Sequence, residues 1–251
     1  MDPINVSLLV FACAFGSALL GMFIRRFLPA HHVGPDSKDV VRVGMGMVAT
    51  TVALVLGLLV YSAKSFYDTQ TAEVTQLAST ALLLDRILAH YGPETADVRT
   101  ELQHSIQRHL ELIWPEERGN VSGQVTSLIG NEVVLDKIHQ LSPKDDKQRS
   151  LQAQALSLGL QMGQTRSLML MQRSVPVPKL LLVMLIFWLI ALFISFGLFA
   201  PSNLTVVLSL LVAAVAVCGA VFLMVEMYYP YGGLIRVSPA PVLSALTQMG
   251  R

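Results

Sequence analysis

Four long stretches without a charged side chain constrain this sequence more than any other feature. They cover residues 6–24, 43–63, 180–200 and 204–225. A helix needs roughly 20 apolar residues to cross a hydrocarbon core of about 30 Å, and each stretch is about that long. Because lipid offers no hydrogen-bond partners, the backbone of a spanning segment must satisfy its own polar groups, which favours helices. The sequence therefore predicts an all-α membrane protein with four transmembrane helices in two hairpins.

The composition agrees with this prediction and argues against some functions. Charged residues make up 14% of the 251 residues, whereas soluble domains carry about 25%. The formal net charge of +1 leaves no large basic surface, so we expect no nucleic-acid partner. Cys13 and Cys218 are too few for a disulfide framework or a cysteine metal site. Arg25 and Arg26 follow the first apolar stretch, the reverse of a signal peptide, and predict a retained anchor.

The apolar stretches divide the chain into four predicted segments. A transmembrane hairpin covers residues 1–63, a helical extramembrane insert 64–179, a second hairpin 180–225, and a membrane-edge turn with a short tail 226–251. No strong helix breaker lies in residues 43–89. We therefore expect the second span to continue into the insert as one helix of roughly 45 residues, about 70 Å long.

The insert carries apolar residues at helical spacing, which predicts several packed helices. In its last helix, we expect Ser142 to be the N-cap and Pro143 the first helical residue. Further along that helix, spacings of four and three alternate as in a heptad seam. The seam consists of Leu151, Ala155, Leu158, Met162, Thr165 and Met169. Such a stripe needs a partner surface, and one hypothesis is a signalling or scaffold protein whose insert binds another protein.

The second span has two faces that could carry function. Small residues, which let membrane helices approach closely, recur at Gly46, Thr50, Ala53 and Gly57. The neighbouring face is mostly apolar with hydroxyls at intervals, and it consists of Met47, Thr51, Leu54, Leu58, Tyr61 and Ser65. In a ring of identical subunits, this second face would line a hydrophobic constriction that gates a pore by dewetting. The alternative is that both faces are ordinary helix-packing surfaces.

The absence of charge within the four stretches narrows the possible transport mechanisms. A proton-coupled pump uses intramembrane acids or bases, and none lies there. A passive pore needs none, because hydroxyls, backbone dipoles and charges at its mouths can supply selectivity.

The sequence shows no protease, kinase, nucleotide-binding or hydrolase motif, so we expect no catalytic site and no cofactor. Two pairs in the insert have the spacing of carboxylate–histidine metal ligands. They are Glu101 with His104 and Asp136 with His139. Facing each other in a bundle, they would form part of a di-iron carboxylate site. The alternative is that both pairs lie on solvated helix faces.

Two C-terminal segments carry the most distinctive motifs of the chain. Residues 196–203 read Phe-Gly-Leu-Phe-Ala-Pro-Ser-Asn, and residues 229–239 contain an aromatic, glycine-rich turn. The turn motif consists of Pro230, Gly232, Gly233, Arg236, Ser238 and Pro239. We expect Ser238 to cap a short final helix that begins at Pro239. With the Trp114–Pro115 pair and residues 166–173, these segments resemble the bestrophin-like family of bacterial membrane proteins.

The resemblance implies a relation to bestrophins, which are pentameric anion channels whose second span lines the central pore. It implies a homo-oligomer in the bilayer of the bacterial inner membrane, with inorganic anions such as chloride as partners. It also implies that the insert and both termini are cytoplasmic. Loop charge argues the other way, because the link with Arg25, Arg26, Lys38 and Arg42 is densely positive and positive loops favour the cytoplasm.

Overall fold

The computed structural model describes residues 3–28, 35–114, 126–172, 179–201 and 203–249, with only the backbone at 35–37, 126–131 and 179. Within these residues the chain forms eight α-helices, one short 3-10 turn and no strand. The helices are α1 Pro3–Arg25, α2 Pro35–Tyr91, α3 Ala96–Ile113, α4 Thr126–His139, α5 Asp146–Gln172, α6 Lys179–Phe199, α7 Leu204–Met227 and α8 Ala240–Gln248. The predicted all-α class is confirmed.

Among the described residues, four helices are long and apolar enough to cross a membrane. They lie at Pro3–Arg25, Lys38–Tyr91, Leu180–Phe199 and Leu204–Met227. The continuous helix predicted for residues 43–89 is confirmed within α2, which is longer than predicted and contains 57 residues. No proline or glycine lies in α2 beyond Gly57, so nothing in its sequence interrupts the helix before Gly92.

The chain forms two compact units, each with its own core. The span unit comprises Met1–Phe66 and Pro176–Tyr228, and the insert unit comprises Tyr67–Val175 and Tyr229–Arg251. The helix α2 contributes its first part to the span unit and its last part to the insert unit.

Within the span unit, α1 packs against both α6 and α7. The contact between α1 and α6 is closest at two glycines. A Cβ atom at Gly21 would clash with the carbonyl of Ile194, and a Cβ atom at Gly197 would clash with the carbonyl of Ala18. Because both obstacles are backbone atoms that cannot rotate away, the two helices approach this closely only with glycine at these positions.

The part of α2 in the span unit buries only one side. Val52, Leu59 and Ala63 belong to the core of this unit, together with residues of α1, α6 and α7. These three positions are spaced by seven and four residues, which places them on one face of a helix. The other side of α2 is therefore open to the surroundings of the chain.

The insert unit has a core in which α2, α3, α4, α5 and α8 all take part. The largest fully buried side chains of α2 and α3 include Leu77, Leu84, Leu102 and Ile106. Between these helices, the chain turns through Gly92, whose φ of 143° favours glycine, and a 3-10 turn at Pro93–Thr95.

The buried stripe of α5 lies one residue away from the predicted seam at two positions. Ala155, Met162 and Met169 are buried as expected, but Gly159 and Arg166 are buried in place of Leu158 and Thr165. The core of the insert unit thus takes up the stripe. Leucines on several sides of α5 left its register ambiguous, and a buried arginine runs against the usual outward placement of charge.

Two predicted helix starts are wrong, by three residues for α5 and by one residue for α8. The helix α5 begins at Asp146, and Asp145 caps it by accepting a hydrogen bond from the backbone N–H of Gln148 at 2.6 Å. The helix α8 begins at Ala240, while Ser238 accepts the N–H of Ala240 at 3.2 Å. In both places the proline precedes the helix, and for α5 the side chain of Asp145 provides a cap closer to the first turn than Ser142 does.

Candidate functional site

The predicted pore face of α2 is exposed along its length. Met47, Leu54, Leu58 and Tyr61 keep 71%, 65%, 67% and 73% of their surface accessible. The two remaining residues of this face, Thr51 and Ser65, are exposed as well. A strongly apolar helix side of this kind is suited to lipid, to a hydrophobic constriction or to another protein helix.

The hydroxyl groups near this face are turned toward their own helix. Thr51 donates a hydrogen bond to the carbonyl of Met47 at 3.0 Å, and Thr50 donates to the carbonyl of Gly46 at 3.0 Å. Such bonds to the preceding turn satisfy the hydroxyl proton and leave the oxygen lone pairs outward. The surface presented by α2 is therefore less polar than the threonine content suggests.

The small-residue face of α2 is also exposed. Gly46, Thr50, Ala53 and Gly57 are all accessible, and a Cβ atom at Gly46 or Gly57 would meet no atom within 4 Å. Within the described part of the chain, no helix uses these glycines for close approach. Close packing of another membrane helix on this face stays a prediction.

A cavity of about 520 Å³ lies beside the start of α2 in the span unit. Its walls are mostly apolar and include Phe196 and Phe199 of α6 and Leu210 of α7. Lys38 and Arg42 line it from α2, and Arg42 lies 3.8 Å from Asp39 in an exposed ion pair. An exposed pair of this kind is weak. This end of the span unit therefore carries positive charge on the side of α2 that faces α6 and α7.

The four residues considered for a metal site are not grouped. Glu101 accepts a 2.6 Å hydrogen bond from Arg108, whereas His104, Asp136 and His139 are exposed. No cluster of three or more His, Cys, Asp or Glu side chains suited to a metal ion occurs among the residues that the structure describes.

The tail motif packs against the core of the insert unit. Trp114 donates its indole N–H to the carbonyl of Val237 at 2.9 Å, and its ring lies edge-on to Tyr231 with centroids 5.3 Å apart. The N–H of Val237 in turn bonds the carbonyl of Pro230 at 2.7 Å, which closes the turn. Gly233 has a φ of 87°, a conformation that other residues rarely adopt. The turn therefore favours glycine at position 233, and Trp114 holds the turn against the core of the insert unit.

The same turn completes a buried polar network that no sequence pattern indicated. Tyr231 donates to the side chain of Gln70 at 2.6 Å, and Gln70 itself is fully buried and donates to Gln172. Burial raises the pKa of the nearby Glu73, although a hydrogen bond with Gln172 opposes this effect. The network joins α2, the end of α5 and the tail within the insert unit.

Comparisons with known proteins agree on one family and one fold. A family model described as a bestrophin-like domain matches residues 10–242. No curated protein matches the chain. Two mutant forms of a bacterial bestrophin homologue from Klebsiella pneumoniae are similar in structure. One has a TM-score of 0.71 at 12% identity over 99% of this chain and 97% of that chain. The other has a TM-score of 0.71 at 13% identity over 98% and 97%. At such low identity, this likeness shows the fold.

Proposed function

The chain belongs to the bestrophin-like family, and from this premise we propose that it is a subunit of an oligomeric, passive anion channel. The oligomer is a pentamer in this proposal, as the relation to bestrophins implies. The observation that carries the proposal is the one-sided burial of α2. Val52, Leu59 and Ala63 anchor one side in the span unit, while the opposite apolar side is free to surround a central pathway.

The proposed constriction is formed by Leu54 and Leu58, two large apolar side chains one helical turn apart on the exposed side of α2. A narrow apolar ring expels water and blocks hydrated ions until it widens. Thr51 adds little attraction for an anion, because its hydroxyl proton is already donated to the carbonyl of Met47.

Anion preference would come from positive charge at the ends of the pathway. Lys38 and Arg42 lie near the start of α2, at one end of the pathway, and Arg42 forms a weak, exposed pair with Asp39. Such charges raise the local concentration of anions over cations, and the effect falls as salt screens them. In this proposal, the insert and both termini lie on the cytoplasmic side of a bacterial inner membrane.

The small-residue face would provide the contact between subunits. Gly46 and Gly57 have open space in front of them, and a neighbouring α2 helix could approach closely there. The two faces are adjacent around the helix, which suits a ring in which each α2 contacts its neighbour and also faces the axis.

The scaffold alternative was suggested by the apolar stripe on α5, and this stripe is not available to a partner protein. The α5 stripe is taken up by the core of the insert unit through Ala155, Met162 and Met169, so it does not offer a free surface for a partner.

The proposal is tested by chloride efflux from liposomes that contain the purified full chain, with empty liposomes as the reference. We expect efflux above the reference and an increase in the Leu58→Ala variant, because truncation widens an apolar constriction. The matched control is Leu208→Ala, which truncates an exposed leucine of α7 and should leave the rate unchanged. Efflux at the reference level from inserted, oligomeric protein would contradict the channel function.

A further inference from the structure

The insert unit buries an arginine for which the described residues provide no carboxylate partner. Arg166 of α5 is 2% exposed, and its Nη1 donates to the hydroxyl oxygen of Ser105 on α3 at 2.8 Å. Its Nε and Nη2 are buried and make no hydrogen bond with the residues that the structure describes. A hydroxyl oxygen alone does not neutralise a guanidinium charge.

The neighbours of Arg166 on α3 add further donors. Ser105, Arg108 and His109 lie three and four residues apart and therefore share one side of the helix. Arg108 donates its Nη2 to Glu101 at 2.6 Å, while its Nε is buried without a partner among the described residues. Both ring nitrogens of His109 are likewise buried and have no hydrogen-bond partner among the described residues.

The charge balance of this cluster is positive. Arg108 and Arg166 are close enough that mutual repulsion, together with the larger effect of burial, lowers the pKa of Arg166 to about 10. The guanidinium is still protonated at neutral pH. Glu101 provides one negative charge, but its carboxylate is already paired with Arg108. Among the described residues, one positive charge of this cluster therefore has no negative partner.

Burial of an uncompensated charge is strongly unfavourable, since the lost hydration must be replaced by a partner of opposite charge. A guanidinium cannot relieve this cost by losing its proton. The groups that face Arg166 can all donate hydrogen bonds. Arg108 offers its Nε–H, the hydroxyl proton of Ser105 is not used in the bond from Arg166, and a neutral imidazole carries one N–H. An arrangement of donors around a positive charge is suited to an anion.

We propose that Arg166, Arg108, Ser105 and His109 form a binding site for one small inorganic anion within the insert unit, and that the anion holds α5 against α3. The enclosed position limits its size, because Arg166 lies between the buried Met162 and Met169 on the same face of α5. Chloride, bromide and nitrate fit this description, whereas gluconate and other bulky anions do not. The site is separate from the α2 face and does not depend on conduction.

The first test measures the thermal unfolding midpoint of the full chain in detergent under two conditions. One sample contains sodium gluconate and the other contains sodium chloride at the same ionic strength. For a ligand at a hundred times its Kd, we expect the midpoint to rise by roughly 5 °C. Arg166→Met should abolish the difference between the two salts. Arg149→Met should keep it, because Arg149 lies on the same helix but its side chain is 68% exposed.

Equal midpoints of the wild-type protein in the two salts would overturn the proposal. A chloride effect of the same size in Arg166→Met and Arg149→Met would also overturn it, since the effect would then be a general one of salt. A second measurement does not require the variant to fold. In crystals of the wild-type chain grown in sodium bromide, an anomalous peak beside Arg166 and the hydroxyl of Ser105 would support the site, and the absence of a peak there would refute it.

Discussion

At the scale of single residues, the insert unit is held together by a few buried polar contacts whose geometry makes them strong. Asp85 of α2 has only 1% of its side chain exposed, and it accepts two hydrogen bonds from Arg99 of α3 at 2.8 and 2.9 Å. This paired arrangement matches the fork of the guanidinium to the two carboxylate oxygens. The hydrogen bonds raise the pKa of Arg99 despite partial burial.

We predict that Arg99→Met destabilises the insert unit by about 3 kcal/mol, because the buried carboxylate of Asp85 loses a charged partner. Thermal unfolding of the purified variant measures the effect as a lower midpoint. The control is Arg149→Met, which breaks an exposed pair with Asp146 and should change stability little. Equal midpoints for the two variants would show that the bidentate contact contributes no more than a surface pair.

The burial of His109 leads to a prediction about how the stability of the protein depends on pH. Burial, and secondarily the charge of Arg166, lowers the pKa of His109 to about 3. In the unfolded chain, a histidine binds its proton near pH 6.5, so acidification below that value favours the unfolded state. Each pH unit between these two values should cost up to about 1.4 kcal/mol of stability from this residue.

His109→Gln should therefore flatten the loss of stability between pH 6.5 and 4.5, whatever its effect at neutral pH. Unfolding midpoints in gluconate buffer measure the slope, since a bound anion would favour the protonated imidazole. His104→Gln, which removes an exposed histidine of the same helix, should keep the wild-type slope. If the His109→Gln variant keeps the wild-type slope, the burial of neutral His109 does not cause the loss of stability at low pH.

At the scale of helices, the span unit depends on close contact between α1 and α6. Gly21 and Gly197, the glycines that make this contact, were assigned no packing role from the sequence, and the small residues of α2 were considered instead. Spacing alone does not distinguish the two cases, because a glycine matters for packing only where another backbone lies against it. The structure places such a backbone at Gly21 and Gly197, and none within 4 Å of Gly46 or Gly57.

We expect Gly197→Ala to push α6 away from α1 and to destabilise the span unit by about 1–3 kcal/mol, the usual cost of overpacking. The carbonyl of Ala18 is in the way of the new methyl group and cannot rotate aside. The matched control is Gly16→Ala, whose methyl group meets no atom within 4 Å. Thermal unfolding that ranks the two variants equally would place the closest approach elsewhere.

Helices of this protein differ in how far the sequence predicts them. The continuity of α2 followed from an apolar span that runs without a breaker into residues with apolar side chains at helical spacing, among which Leu77, Leu84 and Leu88 are buried. The register of α5 did not follow in full, because Gly159 and Arg166 occupy buried positions that a pattern of apolar residues leaves out. A buried arginine depends on donors and charges supplied by α3, which no pattern within α5 reveals.

At the scale of the whole molecule, the proposed function depends on what the exposed side of α2 meets. Helical periodicity was sufficient to group Met47, Leu54, Leu58 and Tyr61 on one face, and the structure exposes all four. It could not decide between pore, lipid and a neighbouring subunit, because these differ only in the surroundings of the chain. The tail turn, by contrast, is held within one chain, because its Val237 and Tyr231 contact Trp114 and Gln70.

In the proposed channel, the exposed face of α2 lines an aqueous pathway. Chemical modification of a cysteine placed on this face tests that arrangement. The native Cys13 and Cys218 are first replaced by alanine, and Leu58→Cys and Leu208→Cys are then made separately in this background. Each protein is reconstituted in liposomes and treated with a bulky, membrane-impermeant thiol reagent during chloride efflux. We predict that the reagent blocks efflux through Leu58→Cys and leaves Leu208→Cys unaffected. Modification that leaves efflux unchanged in Leu58→Cys, or that blocks only Leu208→Cys, would contradict a pore lined by α2.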